Sequence, residues 1–543
     1  MTDKPPPEGI QGRAGARPNF LIFMTDQQRA DHLGCYGNAL LRTPNIDALA
    51  QAGSLFERFY VNAPVCMPNR AALATGRMPS AAGVRMNGVP LPLSAKTYAE
   101  ALRESGYRTA LIGKAHFQNM TEAPPSPVKG EASIPRERQS DSDHRNGVAY
   151  GCESPGQWSN PDFQVPLPYY GFDDALLCLE HGDLVGGDYA RWLDQQGLAN
   201  EHKPGPASAL AVDRPIQAPQ AWRTAVDEEH YPTGFIVEKS IDWLRTHAAG
   251  PDGGQPFLLQ CSFPDPHHPF TPPGRYWSAY SPDEVQLPAS FAASLELAPP
   301  HKRALHDELA GGKRRTAGSR AIAVTEAEAR QSIALNYGAI TMIDDAVGRL
   351  MQSLRELGLD DNTVVIFLSD HGDFMGDHGL IFKGPLHYQS LIRMPFIWRE
   401  TDGTARTARC GGLASAMDLA PTILERAGVM PYHGMQGRSL LPAIQGLSDS
   451  PQRSVLIEEE SHRSLPGLPT PPRVRTLVTD RWRISIFAGA DWGELYDLSG
   501  DPHEIHNRFA DPDYAAIRAE LLWQLSTEMT RLSSNLPLAT NMA

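Results

Sequence analysis

Two apolar runs of strand length, each ending in aspartate, narrow the architecture of this chain before anything else is read. Asn19–Thr25 (NFLIFMT) stops at Asp26, and Thr363–Ser369 (TVVIFLS) runs into Asp370 and His371. Runs this short without polar alternation are strands buried on both faces, the condition of a parallel sheet. Arg108–Ile112, closed by Gly113 and Lys114, and Phe257–Ser262 are further strands. Helical patterns lie between them: Ile46–Gly53 behind Pro44, a helix begun at Pro68 and reaching Thr75, Tyr98–Ser105, Tyr231–His247 and Ala327–Leu357. Alternating strands and helices predict an α/β fold with a large, mainly parallel sheet sandwiched by helices.

In such sheets ligands bind outside the carboxyl ends of the strands. Asp26, Lys114 with His116, His267, and the Asp370–His371 pair reach that edge from four separate segments. Any one of them alone reads as a helix cap or a solvated turn. Together they mark a site.

The 543 residues suffice for one large domain and a smaller appended unit. Residues 1–18 are rich in Pro and Gly and lack the apolar stretch of a secretory signal, so a disordered extension is expected. The main α/β domain is expected over 19–445. Its segment 118–220, dense in Pro, Gly, Ser and charge, is read as irregular insertions that shape the substrate site. Residues 446–543 form the smaller unit, in which Arg473–Leu498 alternates like antiparallel strands ahead of a helix over Tyr514–Leu532. The formal charge of -14 argues against a nucleic-acid surface, although clustered Lys and Arg still admit small anions. Six scattered cysteines without a CxxC pair suit a reduced, cytoplasmic protein. No apolar run approaches bilayer-spanning length.

The segment Cys66-Met67-Pro68-Asn69-Arg70 is the sharpest. A cysteine just ahead of a helix faces unpaired N–H groups and the positive end of the dipole, which favours anions. Arg70, four residues on, shares its helical face and is expected to reach the Cys66 side chain and a bound oxyanion. An isolated free cysteine is otherwise a small buried hydrophobe.

This pentapeptide resembles the C-x-P-x-R signature of the sulfatases, formylglycine-dependent hydrolases of the alkaline phosphatase superfamily close to arylsulfatases and phosphonate monoester hydrolases. Thr25–Asp31, Thr43–Asp47, Thr75-Gly76-Arg77, Gly113–His116, Asp265–Phe270, Asn362–Gly372, Lys383 and Asp418–Thr422 resemble further blocks of that family in the right order. Leu495–Leu498 with Asp501-Pro502 fits its small C-terminal antiparallel subdomain. The resemblance implies an alkaline-phosphatase-like fold and a sulfuric ester hydrolase. Cys66 would be oxidised to formylglycine by a formylglycine-generating enzyme. A divalent ion would be held by Asp26, Gln27, Cys66, Asp370 and His371. Gln27 and His371 stand where many sulfatases have Asp and Asn; family habit ranks Ca2+ first, and the imidazole raises Mn2+ as the alternative.

Roles follow from the same resemblance. A hydroxyl of hydrated formylglycine is the nucleophile. Arg70, Lys114 and Lys383 balance charge on the transferred group. His267, with Lys383, protonates the leaving alcohol, and His116 takes the proton that lets the covalent adduct break down. The H-x-P spacing selects His267 over His268. Asn87 reads as a turn residue and also resembles an asparagine that phosphonate monoester hydrolases place near the transferred group. Asn87, Lys114, His267 and Lys383 are the expected substrate contacts; His181 and His387 are read as packing or surface histidines. The substrate is a small sulfate ester, and the insertions and tail are candidate surfaces for a homo-oligomer. A phosphonate monoester or phosphodiester hydrolase is the rival reading, and a non-catalytic anion-binding protein the third.

Overall fold

A computed structural model describes residues 17–122, 145, 147–197, 202–250, 254–296, 298–401, 408–448, 453–461, 465–468 and 471–538. The extension expected over 1–18 lies almost wholly outside the described residues, as do parts of the 118–220 segment.

Among the described residues a 10-stranded sheet forms the centre. Five parallel strands make its middle, in the spatial order Thr363–Ser369, Asn19–Thr25, Phe257–Ser262, Arg108–Gly113 and Asp174–Leu179. Every residue of the first three is buried, as their unbroken apolar runs require. Phe396–Arg399 then adds antiparallel to Thr363–Ser369, Ser54–Tyr60 antiparallel to Phe396–Arg399, and Arg409–Ser415 parallel to Ser54–Tyr60. The sheet is therefore mixed on this flank.

The period of two along Asn19–Thr25 sorts the two helical layers. Phe20, Ile22 and Met24 pack with helices Cys66–Thr75, Tyr98–Glu104 and Leu419–Arg426. Leu21 and Phe23 pack on the other face with Pro44–Gln51, Pro232–Ala249 and Glu326–Glu356. The 118–220 segment is not irregular throughout. Asp174–Leu179 joins the parallel row, and Asp188–Gln195 is helical.

A second, antiparallel sheet runs in the order Ser454–Glu460, Arg473–Thr479, Trp482–Phe487, Gly493–Asp497. Helix Ala515–Arg531 covers it through Leu521 and Leu525. Glu458 N–H donates to the Asn62 carbonyl at 2.9 Å, tying this sheet to the loop ahead of the Cys66 helix.

Register positions the site. Thr25 lies opposite Ser369, Met24 opposite Ser262, and Gly113 opposite Ser262. The strands end flush, so Asp26, Asp370 and Lys114 leave the sheet at one level.

Candidate active site

Main-chain hydrogen bonds carry this alignment past the strand ends. Asp370 N–H donates to the Thr25 carbonyl at 3.1 Å, Asp26 N–H to the Asp265 carbonyl at 3.1 Å, and Lys114 N–H to the Ser262 carbonyl at 2.8 Å. The last contact demands glycine at 113: its φ is +115°, and a Cβ there would sit 2.0 Å from the Ser262 oxygen.

Helix Cys66–Thr75 is buried along its whole length. It begins at Cys66, two residues before the Pro68 start expected from sequence. Pro68 is tolerated because first-turn N–H groups have no intrahelical acceptor. Asn87 takes one of those orphan groups, its Oδ1 accepting from Met67 N–H at 3.1 Å. Asn69 takes a second task. Its Oδ1 accepts from Asn62 N–H at 2.8 Å and its Nδ2 donates to the Asp370 carbonyl, stitching the helix start to the end of a central strand.

Cys66 Sγ thereby lies 3.2 Å from His371 Nε2, 3.1 Å from Lys383 Nζ and 4.0 Å from Asp26 Oδ1. Ligand atoms of Asp26, Cys66, Asp370 and His371 all fall within 4.8 Å of one another, and all four residues are buried. His371 Nδ1 is turned to the Gly372 carbonyl at 2.8 Å, which leaves Nε2 for the cluster. Arg70 does not bond to Cys66 as its spacing suggested. Its Nε donates to Asp370 at 2.8 Å and its Nη2 to Asp26 at 3.3 Å, while Nη1 reaches the Lys114 carbonyl and Ser262. The planar fork fixes two carboxylates against each other.

Lys114 Nζ donates to Asp26 Oδ2 and meets His181 Nε2. His181 stacks on His267 with ring centres 3.5 Å apart, and Asp26, His181 and His267 form a second close set. Sequence placed His181 among packing histidines; it belongs to the site. His387 does not, since it is bonded to Thr476 and Glu459 beneath the second sheet. His267 Nδ1 faces the His268 carbonyl, and its Nε2 lies 3.0 Å from Lys383 Nζ. His268 instead turns to Gln27 Nε2 at 3.3 Å. The Gln27 amide also donates to Asp373, and its Oε1 is buried with no hydrogen-bond partner among the described residues.

Burial alone would raise the Asp26 carboxyl, but Lys114, His267, Arg70 and Lys383 outweigh it and hold Asp26 well below the ordinary range. Burial and Asp26 push the Cys66 thiol up; Lys383, His371 and Lys114 more than reverse this. Burial, reinforced by Lys114, keeps His116 and His181 far below the usual imidazole value, and burial with His181 and Lys383 does the same to His267. Lys383 moves the other way, because Cys66, Asp26 and Asp370 overcome its desolvation. An ionised Asp26 and a charged Lys383 thus stand beside neutral His116, His181 and His267, whereas at His371 burial is outweighed by Asp370, which shifts that imidazole upward.

A cavity of about 90 Å³ beside Lys383 and Asn87 is walled by Val65, Met86, Leu465 and Pro472. A larger cleft of about 920 Å³, which Arg29, Tyr60, Gln389 and Glu504 help to line, contains none of the cluster residues.

Comparison with known proteins agrees with this geometry. Residues 18–429 match the sulfatase family model, and 376–531 match that of the N-sulphoglucosamine sulphohydrolase C-terminal region. The chain is 28% identical over 511 residues to the uncharacterized sulfatase YidJ of Escherichia coli, covering 93% of this chain and 86% of that protein. It is 29% identical over 535 residues to the multifunctional alkaline phosphatase superfamily protein PehA of Trinickia caryophylli, covering 94% and 96%. The phosphonate monoester hydrolase of Agrobacterium radiobacter superposes with a TM-score of 0.74 at 26% identity, over 97% of this chain and 98% of that one. With the family model spanning most of its length and the acidic, cysteine and histidine positions gathered at one strand edge, the chain belongs to the sulfatase family of the alkaline phosphatase superfamily.

Proposed function

We propose that this protein hydrolyses a small sulfate monoester at the Cys66 centre, after a formylglycine-generating enzyme has oxidised Cys66 to formylglycine. The observation that carries the reading is the convergence of Lys383, His371 and Asp26 on one buried Sγ, with Asp370 in the same ring.

Asp26, Asp370, His371 and residue 66 would hold one divalent ion; Gln27, whose main-chain N–H donates to Asp370 at 3.0 Å, has an Oε1 without a hydrogen-bond partner among the described residues. Two carboxylates, the amide and an oxygen on oxidised residue 66 rank Ca2+ ahead of Mn2+, which the imidazole favours. When bound, the ion supplies Lewis acidity and positive charge opposite the transferring group.

The protein's own groups do the rest. Arg70 holds Asp26 and Asp370 in fixed relation. Lys114 and Lys383 bring two ammonium charges to a dry site, where they are worth far more than in water. The proton for the departing alkoxide resides on Lys383, with His267 Nε2 as its hydrogen-bond acceptor. His116, neutral and with a buried Nδ1 that lacks a hydrogen-bond partner among the described residues, is the proton acceptor of the second half-reaction.

The test is turnover of 4-nitrophenyl sulfate by mature protein, with mass spectrometry of the Cys66 peptide on the same material. An unmodified thiol, in a host that has the maturing enzyme, would favour the anion-binding reading. Phosphonate monoester hydrolysis is the second reading. Gln27 and His371 favour it, as does Asn87, whose side chain sits at the start of the Cys66 helix. Comparing sulfate-ester and phosphonate-ester turnover on one preparation separates the two. A cytoplasmic location is in keeping with six free cysteines.

A further inference from the structure

We infer that Glu153 is a positioning residue that aims His116 into the site through the main chain. The role rests on the sulfate-ester reading above. Glu153 is fully buried and stands 37 residues beyond His116, next to the short helix Pro155–Trp158. Four neutral donors converge on its carboxylate. His116 N–H donates to Oε2 at 2.6 Å; Phe117 N–H at 2.8 Å, Gln118 N–H at 2.9 Å and the Tyr169 hydroxyl at 2.7 Å donate to Oε1.

A carboxylate that accepts from three successive main-chain N–H groups sets the direction of that turn. This turn needs setting. His116 has φ of +54°, in the left-handed region that a residue with a Cβ seldom occupies. Gln118 fastens the far side of the turn, accepting from Cys152 N–H at 2.8 Å and donating to the Ala149 carbonyl at 3.0 Å. Among the described residues His116 Nδ1 is buried without a hydrogen-bond partner, so the ring inherits its aim from the backbone.

Glu153→Gln is the discriminating change. The carboxamide keeps the shape and one acceptor oxygen, which serves the three donors on the Oε1 side. Its NH2 group then faces the His116 N–H, so the change unties His116 selectively. Turnover of 4-nitrophenyl sulfate is measured for wild type, E153Q, H116A and the double variant, with hydrogen exchange of the 114–122 peptide and thermal unfolding. E153Q lowers kcat roughly tenfold or more with KM nearly unchanged, inside the range a positioned acid–base group supplies. In the H116A background the same change costs less than about twofold. Exchange at the His116 amide rises. Y169F removes one donor, gives a smaller loss that also disappears in the H116A background, and stands in for E153Q if that variant does not fold. An equal loss in both backgrounds, or an unchanged kcat, overturns the role. A wild type without sulfate-ester turnover defeats the functional reading instead, and the exchange comparison still decides whether Glu153 holds the His116 turn.

Discussion

Asn69→Ala tests whether the start of the Cys66 helix is tied to the sheet as tightly as its hydrogen bonds indicate. Asn69, Asn62 and the Asp370 residue it bonds are all fully buried. Truncation leaves the Asn62 N–H and the Asp370 carbonyl without these partners. Each buried group so orphaned costs about 1–3 kcal/mol, hence about 2–6 kcal/mol together. Unfolding entropy near 2.1 cal/mol/K per residue gives roughly 1.1 kcal/mol/K for 543 residues, so the melting temperature falls by about 2–5 °C. Calorimetry at one scan rate, on wild type and variant matured side by side, makes the measurement. Because the same side chain braces Asp370, bound-metal content should fall as well. A shift below about 1 °C with metal content intact would refute the reasoning, since relaxation or water would then be replacing both bonds.

Gly113→Ala should abolish soluble protein or lower the melting temperature by more than N69A does, because its methyl meets the Ser262 carbonyl oxygen at a left-handed φ; a normal expression yield and melting curve would count against it. Asp418, fully buried and accepting from Ser415 and Arg438 N–H groups, is pushed up by burial to about 6. A raised carboxyl favours the fold fully below its unfolded value near 4 and loses that contribution as pH climbs through 6, a span of about 3 kcal/mol. The melting temperature of wild type relative to D418N should therefore decline between pH 4 and 6 and level off above, and a flat difference would contradict the assignment. Chelation should lower the melting temperature by about 2–3 °C where the ion had stood at a hundred times its dissociation constant, worth about 2.7 kcal/mol. Restoring Ca2+ or Mn2+ and following the recovery also settles their order.

The parts legible in the sequence are those a single strand determines. NFLIFMT and TVVIFLS announce buried strands by composition, and the residues that follow them, Asp26 and Asp370, had to lie at a sheet edge. His181 was not legible for the opposite reason. Its strand, Asp174–Leu179, carries a short apolar run, but that run lies inside the Pro- and Gly-dense 118–220 segment and is only half buried, and the chain turns just past it at Glu180, φ +66°. Only pairing with Arg108–Gly113, distant in sequence, carries His181 to Lys114. Glu153 is hidden likewise, since its partners are backbone groups that no spacing rule connects to it. Arg70 was placed on the correct helical face with the wrong partner. A long guanidinium in a dry site settles on two carboxyl groups ahead of a thiol. The antiparallel Phe396–Arg399 strand escaped because its four residues are too few to carry a period.

Lys114 stands where Asp26, His181 and His267 would otherwise offer a berth to a second ion. An ammonium on a side chain cannot be dialysed away, diluted or exchanged for a competing element. On the proposed one-ion reading, the chain itself supplies the charge at this second set and would draw only one atom per chain from its surroundings. Its reconstitution should saturate along a simple one-site hyperbola, with no sigmoid lag at scarce supply.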